Sequence, residues 1–221
     1  MTSVEWKVPV SDGQTTAVYE EATAGNAVFV CAHGAGGNIA DRATLATARA
    51  LDAEGIGVVR FNFLYREKKS GRPDRMPLLM ETFAAVTEFA RNALNPARLV
   101  IGGRSMGGRA ASMLAADGYN ADGLLLLAYP LHPPGRPEHL RDAHLPRIRM
   151  PVLCFNGTRD PFCTRALMER ALTSVTAPWE MHWVEGADHS FHVLKSSGRT
   201  DAEVLAGIAD VSRDWIARMS A

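Results

Sequence analysis

The chain has 221 residues, 47% hydrophobic and 22% charged, with 24 Lys and Arg balancing 24 Asp and Glu. That apolar content excludes an intrinsically disordered chain, and a formal net charge of zero excludes a nucleic-acid binder that relies on a uniformly basic surface. The length suits a single domain, expected to span residues 1–221.

Cys31, Cys154 and Cys163 make neither a C-x-x-C pair nor a disulfide framework. The opening MTSVEWKVPVSDG lacks the basic-then-apolar pattern of a secretory signal. The longest strongly apolar run, Leu124–Leu131, falls short of the ~20 residues of a membrane span. The expectation is a cytoplasmic, soluble protein with reduced thiols and no membrane partner.

Strand and helix patterns alternate along the chain. Glu5–Val10 and Thr15–Tyr19, joined across Ser11-Asp12-Gly13, predict an N-terminal antiparallel hairpin. Ala27–Ala32 predicts a buried strand that ends at the Gly-rich loop HGAGGN. A helix over Arg42–Ala53, a strand over Gly57–Phe61 and a polar, basic loop over Asn62–Met76 follow. Pro77 opens a long helix with an apolar stripe of Leu79, Phe83, Val86, Ala90 and Leu94, closed at Asn95-Pro96. Arg98–Gly102 predicts a strand, Gly108–Ala116 a small-residue helix and Leu124–Ala128 a strand. The stretch Tyr129–Met150 is irregular, rich in Pro, His and Arg. Val152–Asn156 and Glu180–Val184 are strands around a helix over Thr164–Ser174. The last helix has a capping box from Thr200 to Glu203 and a stripe of Val204, Ile208, Val211, Trp215 and Met219. Repeated strand–helix units with continuous apolar strands specify an α/β fold: a mostly parallel, twisted sheet with helices on both faces.

The most informative segment is Gly102-Gly103-Arg104-Ser105-Met106-Gly107-Gly108, between a strand and a helix. It fits the nucleophile elbow G-x-S-x-G, in which a sharp turn exposes a serine at a helix N-terminus. A phosphate-binding P-loop needs Gly-Lys-Ser/Thr, whereas Gly107-Gly108 leads into Arg109. In HGAGGN, Ile39 occupies the third glycine position of a dinucleotide fingerprint. A serine hydroxyl needs a base, and the base a third group that fixes its tautomer. His189, in the loop after the last strand, is the candidate base, with His192 as the alternative, while His182 lies within the strand. Asp160, after the strand that ends at Asn156, is the candidate acid; Asp188 adjoins the base, where neighbouring side chains diverge. Cys163 reads as a packed thiol. The oxyanion donors expected are the N–H groups of Met106 and Ala35, with His33 bracing the loop.

These features together resemble the α/β-hydrolase superfamily over essentially the whole chain. GGRSMGGR, AYPLHPPGRPEHLR, PVLCFNGTRDPF and MHWVEGADHSF are similar to a small lidless subgroup. It includes bacterial predicted hydrolases, the testis-expressed type, and the hydrolase-like domain of the third subunit of the NSL acetyltransferase complex. Dienelactone hydrolases are more distantly similar and carry cysteine where this chain has Ser105. The resemblance implies a single-domain α/β-hydrolase fold without a cap domain, and a triad of Ser105, Asp160 and His189. It implies no cofactor and names no substrate.

The expected substrate is a small soluble ester, with thioester or peptide chemistry open to the same triad and a catalytically silent interaction module as the other class. Phe63, Tyr65, Tyr129 and Leu131 are candidates for an apolar wall of its site. Basic residues outnumber acidic ones in both Asn62–Met76 and Tyr129–Met150, which raises the idea of an electropositive mouth for anionic acyl groups. His132, His139 and His144 have no i, i+4 pair, so no metal site is expected.

Overall fold

A computed structural model of the chain describes residues 3–20 and 26–219. Strands β1 (Ser3–Val10) and β2 (Gly13–Glu20) form the antiparallel hairpin. The remaining strands are β3 (Ala27–Ala32), β4 (Ile56–Phe61), β5 (Arg98–Arg104), β6 (Gly123–Leu127), β7 (Val152–Gly157) and β8 (Trp179–Val184). They make one sheet in the order β1-β2-β4-β3-β5-β6-β7-β8. β2 meets β4 antiparallel, and every pairing from β4 to β8 is parallel.

The helices are α1 (Arg42–Ala53), α2 (Leu64–Glu67), α3 (Met76–Leu94), α4 (Met106–Ala116), α5 (Arg165–Leu172) and α6 (Asp201–Arg218). Every residue of β4, β6 and β7 is buried, because helices cover both faces of the sheet. Alternate residues sort into two cores. Val30, Ile101, Leu126 and Cys154 belong to the core that takes in Leu79, Phe83 and Val86 of α3 and Ala110 and Ala111 of α4. Cys31, Val100, Leu125 and Leu153 belong to the other, with Leu51 of α1 and Val204, Ile208 and Trp215 of α6. Thr200 caps α6 reciprocally: its hydroxyl accepts from Glu203 N–H (3.2 Å), and its N–H donates to the Glu203 carboxylate (2.7 Å).

Three segments differ from the sequence expectation. The stretch 62–76 contains the helical turn α2, because Phe63, Leu64 and Tyr65 turn inward and are fully buried. β5 runs two residues past Gly102 and α4 begins two residues before Gly108. Ser105 is therefore the single residue between strand and helix; the glycines carry no hydropathy signal that would mark those ends. The stretch after β6 makes a 3-10 turn at Leu145–Arg147 and is held to the core by Leu131, Leu145 and Ile148. It forms no helical cap. No helix among the described residues is long and apolar enough to cross a membrane.

Candidate active site

Ser105 has φ 48° and ψ −116°, a backbone conformation that a non-glycine residue holds at a cost of about 1–3 kcal/mol. Its surroundings enforce it. Ser105 N–H donates to the Leu127 carbonyl of β6 (2.9 Å), and its own carbonyl accepts from Arg109 N–H (2.9 Å). The flanking glycines permit the turn by steric absence. A Cβ on Gly103 would lie 2.2 Å from the Ala32 carbonyl oxygen, and one on Gly107 would lie 2.6 Å from the same atom. The end of β3 thus packs against both sides of the elbow.

His189 and Asp160 arrive from the carboxyl ends of β8 and β7. The His189 ring lies between two partners: Nδ1–H donates to Asp160 Oδ2 (2.8 Å), and Nε2 accepts from the Ser105 hydroxyl (2.9 Å). The acceptor-only carboxylate selects this tautomer. Asp160 is itself tied down, since Oδ1 accepts from Phe162 N–H (2.8 Å) and Oδ2 from the Asn156 amide (3.3 Å). Asn156 also bonds both backbone groups of Tyr129 and so joins the ends of β6 and β7. The two loops close on each other at Gly157, where a Cβ would lie 2.1 Å from the Ala187 carbonyl oxygen. Such a chain lets a proton pass from hydroxyl to imidazole while the carboxylate holds the ring.

The loop after β3 is fixed through His33. The Gly34 carbonyl accepts from His33 Nδ1–H (2.7 Å) and from Gly37 N–H (3.0 Å). His33 Nε2 accepts from Phe63 N–H (3.2 Å). With Nδ1 donating and Nε2 accepting, the ring is neutral, and burial holds its pKa below the ordinary value. In a trans peptide the N–H points opposite the carbonyl. The Ala35 N–H therefore turns away from His33, on a residue that lines the cavity beside Ser105. The next peptide is held as well, by the Tyr65 hydroxyl donating to the Ala35 carbonyl (2.8 Å). Met106 opens α4, so its N–H has no acceptor within the helix.

The cavity has a volume of about 350 Å³ and is walled by the 34–37 loop, Asp41 and Thr44 at the start of α1, and Arg104, Ser105, Phe162, His189 and Ser190. The structure brings Ser105, Asp160, His189 and Ala35 together here, with Met106 next to Ser105. Phe63, Tyr65, Tyr129 and Leu131 are corrected: all four are fully buried core residues and wall no part of the cavity. For Phe63 and Tyr65, the polar residues on either side of 63–65 hid how firmly the segment packs. The cavity wall lends the electropositive mouth no support. None of the basic side chains of 62–76 or 129–150 lines the cavity; Arg66 and Lys69 line a separate depression with Asn38 and Asn62. His192 pairs with Asp201 (3.0 Å), and the Asp188 carboxylate accepts from Ser190 and His192 N–H, shaping the His189 loop. His182 stacks on Phe155, and Cys163 is buried with its pKa pushed up by burial.

Sequence reasoning missed three residues. Phe162 packs against the His189 ring, with centroids 4.3 Å apart and the planes tilted by 32°. Asn156 could have been found as the one polar side chain in an otherwise apolar strand end. Arg104 lies nearly buried in the wall beside Ser105, and an arginine in a strand this apolar was itself a signal.

A family model described as Alpha/beta hydrolase domain matches residues 25–217. Solved structures share the fold. A lidless α/β serine hydrolase from Xanthomonas campestris is 21% identical, with a TM-score of 0.76 over 98% of this chain and 96% of that one. An α/β serine hydrolase homologue from Coxiella burnetii is 22% identical, with a TM-score of 0.75 over 94% and 98%. A dienelactone hydrolase from Anabaena variabilis is 18% identical, with a TM-score of 0.75 over 97% and 96%.

Proposed function

The chain belongs to the alpha/beta hydrolase domain family, and from that membership we propose that it is a serine hydrolase that cleaves small carboxylic esters through an acyl-enzyme. The observation that carries this reading is the unbroken chain from Ser105 Oγ through His189 to Asp160, at 2.9 and 2.8 Å.

Ser105 Oγ attacks the acyl carbon as its proton moves to His189 Nε2. The carbonyl π pair moves onto oxygen, where the N–H groups of Met106 and Ala35 receive the negative charge. Collapse breaks the bond to the alkoxy group, which leaves as an alcohol with the proton from His189. Water then attacks the acyl-enzyme in the same sense: its proton goes to His189, the acid departs, and Ser105 regains its hydrogen. Asp160 keeps Nδ1 protonated throughout and offsets the imidazolium charge.

An open cavity of this size suits a small soluble ester better than a lipid at an interface, and the 128–151 segment is committed to the core rather than to a cap. Hydrolysis of p-nitrophenyl acetate and butyrate tests the reading. Ser105→Ala is expected to lower kcat by at least ~10⁴-fold with the fold retained. Activity that survives this change assigns the nucleophile elsewhere, and folded native protein inert toward esters and thioesters alike favours an interaction module.

A further inference from the structure

Arg104 is 8% exposed, lines the cavity and forms no ion pair among the described residues. Its guanidinium lies 5.2 Å from the Phe191 ring centroid, and its one hydrogen bond among the described residues, to the His189 carbonyl, is stretched to 3.5 Å. Asp41, Asp188 and Asp160 act on it only at a distance. A guanidinium has five N–H donors and does not deprotonate in proteins, so a buried one without a counter-ion is costly unless something in the cavity pairs with it.

The other charged wall residue is differently placed. The Asp41 carboxylate accepts from Asn38 N–H (2.9 Å), Thr44 N–H (2.9 Å) and the Thr44 hydroxyl (2.8 Å). It serves as the cap of α1, and its charge is set against the positive end of that helix. Arg104 has no such commitment. It follows that the cavity offers one unspent positive fork next to Ser105.

We propose that Arg104 is the recognition point for a carboxylate on the substrate, which makes the site selective for half-esters of short dicarboxylic acids. This rests on the serine hydrolase reading of the same site. A planar guanidinium matches a carboxylate bidentately. His189 joins the two residues: its carbonyl accepts from the Arg104 guanidinium (3.5 Å) and its ring accepts from the Ser105 hydroxyl (2.9 Å), so a carboxylate held by Arg104 in this cavity lies within one residue's span of the scissile carbonyl. A single guanidinium balances a monoanion, whereas a phosphate dianion would face the Asp41 carboxylate on the same wall.

Calorimetric titration of the Ser105→Ala protein, which binds without turnover, tests the proposal with ethyl hydrogen succinate and diethyl succinate as probes. The half-ester is expected to bind at least tenfold more tightly than the diester, and Arg104→Met in that background to bring the two to parity. Equal affinities, no measurable binding of the half-ester, or a preference that persists in Arg104→Met would overturn it. Should Arg104→Met fail to fold, the comparison of the two probes on Ser105→Ala alone still decides, with Arg104→Lys, which keeps the charge but loses the fork, expected to retain only part of the preference. Failure of the parent reading looks different: half-ester binding would persist while the native protein shows no turnover that depends on Ser105.

Discussion

A peptide plane carries its N–H and C=O in opposite directions, so the two bonds that hold the Gly34 carbonyl also aim the Ala35 N–H. His33 supplies one of them and is a positioning residue for the proposed oxyanion site. Loss of one oxyanion donor costs about 10²–10³ in kcat. Accordingly His33→Ala, which loosens rather than deletes the donor, is expected to lower kcat on a model ester by up to ~10²-fold with KM nearly unchanged. A fall that only tracks the folded fraction, measured by circular dichroism, would show His33 to be structural alone. Asp160→Asn removes the charge but not the shape, favours the wrong His189 tautomer, and is expected to cost about 10⁴ in kcat while the protein stays folded. The residues that bear a motif, Ser105, His189 and Asp160, were legible from spacing and chain order. Arg104 and Asn156 left only the faint signal of a polar side chain in an apolar strand, and Phe162 left none, because it acts through what it touches in space.

Backbone contact between elements sets the geometry around these side chains. The end of β3 lies so close to the end of β5 and the start of α4 that Gly103 and Gly107 leave no room for a methyl group, and Gly157 does the same for the acid and base loops. Gly157→Ala places a Cβ against three backbone atoms of Ala187 and Asp188, none of which can swing aside as a side chain could. Displacement by an ångström at a reacting centre costs ~10²-fold, so kcat is expected to fall about that far at a temperature where the variant remains folded. Gly207 gives the contrast: it is exposed in α6 with nothing within 4 Å of its missing Cβ, and Gly207→Ala is expected to stabilise the protein by about 0.5–1 kcal/mol in urea unfolding. Hydropathy located β3 and α1 to the residue, because apolar periodicity and caps define their ends. It failed at the junction of β5 and α4, where glycines erase periodicity, and in 62–76, where the polar flanks of Phe63, Leu64 and Tyr65 hid their burial.

Across the whole molecule, balanced charge conceals buried histidines that tie its acid stability to its packing. His144 is pushed down to about 4 by burial and by the charge of Arg109, and it sits 2.7 Å from the Ser112 hydroxyl; burial lowers His33 as well. The folded values lie below that of a free histidine, so between pH 6.5 and about 4 the unfolded chain binds more protons. This stability is fully present above pH 6.5 and is lost as pH falls through that window. Urea midpoints are therefore expected to drop from pH 7 to pH 5, and His144→Leu to flatten the slope; a midpoint independent of pH would contradict this. The basic side chains of 62–76 and 129–150 lie off the cavity wall, which leaves Arg104 as the positive group on it among the described residues. Everything proposed for the site depends on Ser105 being a nucleophile activated by His189. Intact-mass analysis after treatment with a fluorophosphonate measures that directly. Expected is a single adduct on native protein, mapped to Ser105, absent from Ser105→Ala and strongly slowed in His189→Ala. Folded native protein that remains unmodified, or an adduct that persists in Ser105→Ala, would contradict it.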